Sequence, residues 1–240
     1  MYGILRDSTN TNIPGELICT FAAPISVSSR RVVFSSDTLS LKRVAASGSS
    51  QRWEIETTIA QSENGVEFFL NSVVNDVDQK VYVRMPQPVQ KFGDVVRGLG
   101  RSGGNAEEYP TANPTRVSNN DFAFAYGTGD VVSSKGAGEN AVGILLDPNS
   151  QLFTGSFIRF TNHNKVYLIR EITSVSVNTA NVVVFPNLTA SITGGGTPET
   201  AYLGGHVTAH MYYDLDNAIG ISYSDGILTD PGVVKLVEAL

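Results

Sequence analysis

Apolar and polar residues alternate most regularly over residues 51–59, QRWEIETTI. Trp53, Ile55, Thr57 and Ile59 fall on one side, and Arg52, Glu54, Glu56 and Thr58 on the other. A period of two predicts a strand with one buried and one wet face. The β-branched runs ELICTF (16–21) and ISVSSRRVVF (25–34) read as strands, as does DTLSLKR (37–43), with Leu39 and Leu41 on one face. QKVYVRM (79–85) is a further strand, halted by PQP at 86–88. The period changes once. Val66, Phe69, Leu70, Val73, Val74 and Val77 recur at helical spacing behind Asn64, a good cap, and predict a helix over 64–77.

Residues 98–116, GLGRSGGNAEEYPTANPTR, are rich in glycine and proline and nearly free of apolar side chains. They read as a linker or long loop. The second half then alternates short β runs with turn clusters. The runs are 122–126, 141–146, 156–160, 165–172, 181–185, 206–213, 218–223 and 233–240, and the clusters include GTGD, KGAGEN, TNHN, TGGGTPET and SDG. The expected fold is mainly β, with two β-sandwich or barrel domains, the first carrying the one α-helix. The expected division is a first domain at 1–97, a linker at 98–117 and an all-β domain at 118–240.

Within GSFIRFTNHNKVYLIREI (155–172), four polar residues split two β runs. Asn and His suit the turn geometry of a short hairpin loop, so TNHN is expected to be a bend and His163 a turn residue. Ile158 and Phe160 share one face of the first arm, and Phe157 and Arg159 the other. In the second arm Val166, Leu168 and Arg170 oppose Lys165, Tyr167, Ile169 and Glu171. Every face carries apolar residues, so both arms are expected to be covered on both sides.

Composition adjusts this picture in three places. Charged residues are only 17% of the 240, and Ser, Thr, Asn and Gly fill the gap, which suits β structure with many turns. A net charge of −6 argues against a dedicated binder of phosphate backbones. Cys19, the sole cysteine, lies in an apolar run and is expected to be a buried thiol, without any intramolecular disulfide. No signal-peptide pattern and no long apolar segment is evident, so no membrane anchor is expected.

The chemical motifs dissolve on inspection. Gly98, Gly100 and Gly103 fit G-x-G-x-x-G, but the prolines that follow forbid the helix a dinucleotide site requires. His206 and His210 are four apart in a strand-like run, which separates them by about 13 Å, too far to share a metal. Asp214 and Asp216 lack the glycine and distal glutamate of a calcium loop. Asn187-Leu188-Thr189 is a glycosylation pattern without a secretion signal. No nucleophile, base or carboxylate pair can be placed, so no catalytic, cofactor-binding or metal residue is assigned, and the chain is not expected to be an enzyme.

Residues 152–188 resemble a segment of bacteriophage tail proteins. A G-x-hydrophobic-I-x-F strand, a turn with histidine and a K-V-Y strand are followed by a β run and proline. The matching positions are Gly155, Ile158, Phe160, His163, Lys165, Val166, Tyr167 and Pro186. LSLKR, QRWEIETTI and the helix after them are similar to tail-tube and distal-tail baseplate proteins. The resemblance implies a virion protein, made in the host cytoplasm: a structural subunit of tail tube or baseplate, of distal-tail or tube-initiator type. It implies a homo-oligomer, usually a hexameric ring, with other tail proteins as neighbours and DNA passing through the lumen without specific binding. Three alternatives remain open: a carbohydrate- or receptor-binding β-sandwich module of a tail, a neck or tail-completion protein, and a tail-associated hydrolase.

Overall fold

In the computed structural model the described residues are 3–5, 17–37, 43–60, 81–86, 94–97, 115–116, 127–148, 150–176, 178–214, 222–224, 227–230 and 233–239. The first half of the chain supplies β1 (Gly3–Leu5), β2 (Leu17–Asp37), β3 (Arg43–Ile59), β4 (Val81–Arg84), β5 (Asp94–Arg97) and β6 (Thr115–Arg116). The middle supplies β7 (Thr128–Val131), β8 (Ala141–Leu146), β9 (Gln151–Phe153), β10 (Phe157–Phe160), β11 (Val166–Ser176), β12 (Thr179–Phe185) and β13 (Thr200–Leu203). A 3-10 turn at Gly204–His206 leads to β14 (Thr208–Tyr213), β15 (Ser222–Ser224), β16 (Ile227–Asp230) and β17 (Val233–Glu238).

Two closed barrels result. Barrel one runs β1-β2-β3-β17-β14-β4 and barrel two β10-β11-β12-β8-β7-β13. The fold is therefore mainly β and built on barrels, as the alternation implied. The expected helix at 64–77 lies outside the described residues, as do the runs at 38–42 and 122–126 and most of 98–117. The expected division of domains needs correction. Strands β14 and β17, assigned by composition to the second domain, pair with β4 and β3 and close barrel one. Barrel two is an insertion between strands of barrel one. β5 and β6, on either side of the glycine-rich stretch, pair with each other, and β5 pairs also with β9, in a separate three-stranded sheet.

The expected faces of β3 are the observed ones: Trp53, Ile55, Thr57 and Ile59 are buried, while Arg52 and Glu56 are exposed. The two expected strands at 16–21 and 25–34 are one strand, β2. Pro24 falls where the pairing register slips between Ala22 and Ser26. A proline lacks the N–H a ladder needs, and a bulge accommodates it without ending the strand. At Gly3 a Cβ would lie 1.9 Å from the Cys19 carbonyl oxygen, so β1 approaches β2 more closely than a side chain allows.

Each barrel holds a core. Barrel two packs Val142, Ile144, Ile158, Phe160, Ile169 and Val184 from its own strands, joined by Leu152 of β9 and by Leu188 and Ile192 from the segment between β12 and β13. Barrel one packs Ile4, Ile55, Val83, Met211 and Leu236, and its cluster continues into Phe157, Val166 and Tyr202 on the outer wall of barrel two. The seam between the barrels is thus continuous with the first core.

Beyond Ser29 and Trp53, strands β2 and β3 pair only with each other among the described residues, down to Asp37 opposite Arg43. They form a two-stranded ribbon about 25 Å long at the usual rise per residue.

Candidate functional site

The TNHN segment is a hairpin bend. β10 and β11 pair antiparallel across it, with Ile158 opposite Tyr167 and Arg159 opposite Val166. Both arms are covered on both sides near the bend: all of 157–160 is buried, as are Lys165, Val166, Tyr167 and Ile169.

His163 is fixed in the bend by a chain of polar contacts. The Asn162 amide donates through Nδ2 to the Ser191 carbonyl, 2.6 Å, which turns its Oδ1 toward His163 Nδ1, also 2.6 Å. That oxygen can only accept, so Nδ1 carries the ring proton. Nε2 then accepts from the Tyr167 hydroxyl at 2.7 Å, and the phenolic oxygen accepts the Thr189 backbone N–H at 3.0 Å. Burial lowers the His163 pKa, Glu199 pulls it back up, and Arg159 lowers it further. The neutral ring is a structural tie between the hairpin and the loop at 187–192.

Two residues past His163, Lys165 leaves barrel two and plugs the end of barrel one. Its ammonium donates to the Gln51 carbonyl at 2.7 Å, to Gln51 Oε1 at 2.8 Å and to Glu238 Oε2. An ammonium has three donors, and all three are used. Glu238, the last residue of β17, also accepts the Trp53 N–H on Oε2 at 3.1 Å and the Val166 N–H on Oε1 at 2.8 Å. Trp53 returns a bond from Nε1 to the Val166 carbonyl, 2.8 Å, and packs edge-on against Phe157. The Lys165 and Glu238 side chains are 2% and 0% exposed. Burial raises the Glu238 pKa, opposed by Lys165 and the two backbone N–H groups. Burial lowers the Lys165 pKa, opposed by Glu238. Desolvation thus drives both groups toward their neutral forms, and their mutual contact, with the two backbone N–H groups at Glu238, holds the charges. Gln51 Nε2 is buried and has no hydrogen-bond partner among the described residues.

A second cation lies in the same seam. Arg159, 4% exposed, has its guanidinium over the Tyr202 ring at 5.3 Å and its Nη1 3.5 Å from His210 Nε2. His210 in turn stacks edge-on with Tyr82, 4.6 Å between centroids. His206 ends the short 3-10 turn, and burial lowers its pKa, helped by Arg84. The strand expected over 206–213 begins only at Thr208, so His206 lies in the turn and His210 in β14, and among the described residues no three His, Cys, Asp or Glu side chains gather. Cys19 is buried as its apolar run implied, and desolvation pushes its thiol up to about 12. Asp214 donates its backbone N–H to the Lys235 carbonyl, and Asp216 lies outside the described residues.

Outside barrel one a groove of about 230 Å³ is lined by Ser26, Ser28, Arg30, Glu54, Glu56 and Lys235. Four of its charges pair, Arg30 with Glu54 at 3.1 Å and Lys235 with Glu56 at 3.5 Å, and Asp214 also lines it. Among the described residues no helix is long and apolar enough to cross a membrane.

The Lys165–Glu238 cluster joins residues 73 apart in sequence, and no local pattern pairs them. One signal was present: Glu238 stands on the face of Val234 and Leu236, where a charge demands a partner. No protein-family model matches the chain, and no curated protein does.

Proposed function

We propose that the protein is a structural subunit of a phage tail, a ring component of the tube or baseplate that acts by association and not by catalysis. The observation that carries this reading is the ribbon of residues 30–37 and 43–52, whose outer edges have no strand partner among the described residues. Unpaired edges are templates for another chain, and natural proteins cover them, blunt them or use them. The ribbon is also electrically distinct. Arg30, Arg31, Arg43 and Arg52 stand against Asp37 alone, while the chain as a whole carries −6. A basic arm on an acidic body favours heterologous contact, arm of one copy to body of the next. Such contacts close into a ring when the rotation allows it. Arg31 lies over the Phe185 ring at 4.1 Å, so the root of the arm is braced on barrel two.

Electron microscopy and sedimentation of the purified chain test this. Rings or stacked rings, alone or with a tail protein, are the expected result. Shortening the ribbon to a tight turn between Val32 and Ser47 is expected to leave both barrels folded and to abolish association. A monomer at every concentration, with and without tail proteins, sinks the reading.

A further inference from the structure

Two anomalies meet at one point in the seam. A lysine and a glutamate are wholly buried as an ion pair, which is costly even when well bonded. Beside them the side-chain amide nitrogen of Gln51 is buried with no acceptor among the described residues, itself an unfavourable state. Gln51, Lys165 and Glu238 are 2%, 3% and 0% exposed, and Trp53, itself buried, donates its backbone N–H to Glu238. Lys165 Nζ is 2.8 Å from Gln51 Oε1, so with an ordinary carbonyl bond it is at most about 4 Å from Cδ. Glu238 touches Nζ directly.

We infer that Lys165 and Gln51 form an intramolecular isopeptide bond, with Glu238 as the proton carrier, which fastens barrel two to barrel one. Glu238 first takes a proton from the ammonium. The amine lone pair attacks Cδ of Gln51, and the carbonyl π pair moves to Oε1. Glu238 gives its proton to Nε2 while the attacking nitrogen returns another to the carboxylate. The Cδ–Nε2 bond breaks, the carbonyl re-forms, and ammonia leaves. One N–C bond is made and one broken, nothing is oxidised or reduced, and Glu238 ends protonated and neutral. The reaction removes the very nitrogen that lacks a partner. It also replaces a buried charge pair by a neutral amide and a neutral acid. Holding the three groups together in a dry site supplies the proximity that a free amine and amide lack. Burial, which favours the neutral form of both ionisable groups, acts in the same direction.

The intact mass of the purified full chain decides the matter. It is expected to be lower than the sequence mass by one ammonia, and fragmentation is expected to show a branched peptide joining Gln51 to Lys165. Lys165→Arg keeps the charge but cannot form the bond, and is expected to restore the full mass. Gln51→Met, close in size and without an amide, is expected to do the same. Glu238→Gln is expected to leave the bond unformed in protein whose β signal by circular dichroism is unchanged. A folded wild-type chain at its full sequence mass overturns the inference. So does an ammonia loss that persists in Lys165→Arg or maps to another residue.

Discussion

Barrel two takes all its strands from residues 128–203, whereas barrel one takes four from residues 3–84 and two more from 208–238. The cores differ in the same sense. Barrel two is filled mostly by side chains of its own strands, while the cluster of barrel one extends into Phe157, Val166 and Tyr202 of its neighbour and is stoppered by Lys165. Dependence therefore runs mainly from barrel one to barrel two, although β9, whose Leu152 joins the core of barrel two, pairs with β5. Barrel one cannot close until the chain has passed through barrel two and returned, and its open end is finished by a residue of barrel two. Such non-local closure is the slow and conditional part of folding.

The sharpest way to break this contrast is to cut the molecule along it. A fragment of residues 127–205 is expected to give a dispersed two-dimensional NMR spectrum and cooperative unfolding. The remainder, with 127–205 replaced by a short linker, is expected to stay unfolded or poorly packed. If the remainder folds and the fragment does not, the direction of dependence is reversed.

Next in size is the plug. Glu238→Ala leaves the Lys165 ammonium buried without its counter-charge, which typically costs about 3–5 kcal/mol. Urea unfolding of Glu238→Ala, Lys165→Met and the double change Lys165→Met/Glu238→Gln separates the terms. The double variant is expected to lose less than Glu238→Ala alone, because it buries no unpaired charge. Equal losses in both would mean that what the two variants share, the missing cross-link and the altered packing, outweighs the unpaired charge. Trp53→Phe keeps an aromatic ring against Phe157 but strands the Val166 carbonyl, and a loss of about 1–3 kcal/mol is expected in the same assay.

These contacts also show what the amino-acid pattern could and could not tell. The faces of 51–59 and the strand at 141–146 were legible because alternation is local, and TNHN was legible as a bend because turn chemistry is local too. β7 and β13 escaped notice because each is short and lies in or beside a turn-like cluster, GTGD and TGGGTPET, and their strand character comes from pairing with each other and with β8 and β10. The composition shift near 98–117 was real, yet it carried no information about β14 and β17 returning to barrel one. Lys165 read as one more polar position next to a turn. Only the three-dimensional meeting of β3, β11 and β17 makes it a plug, and Gln51 gave no sign at all.

A smaller effect follows from the bend. The folded pKa of His163 lies below its unfolded value, chiefly through burial, and that of His206 is shifted the same way. The unfolded chain therefore binds protons first as pH falls. The stability these groups contribute is present above about pH 6.5 and is lost as pH falls through their folded values. His163→Gln can still accept from Tyr167 but cannot titrate. It is expected to flatten the decline in unfolding free energy between about pH 7 and about pH 5, relative to the wild type. An unchanged slope would place the sensitivity elsewhere than in barrel two's hairpin.

The smallest effect gives the seam its scale. Lys235 and Glu238 stand three residues apart on β17, one outside barrel one and the other at its plugged end. Lys235 meets Glu56 at 3.5 Å with both side chains well exposed, 38% and 56%. Solvent screens that pair, and ordering two long side chains offsets much of what attraction remains. Lys235→Ala is therefore expected to move stability by no more than about 0.5 kcal/mol in urea unfolding. The residue change is as drastic as Glu238→Ala and the strand is the same, so the difference isolates burial. A cost for Lys235→Ala matching that of Glu238→Ala would mean that β17 responds to any lost charge, and the seam would lose its claim to join the barrels.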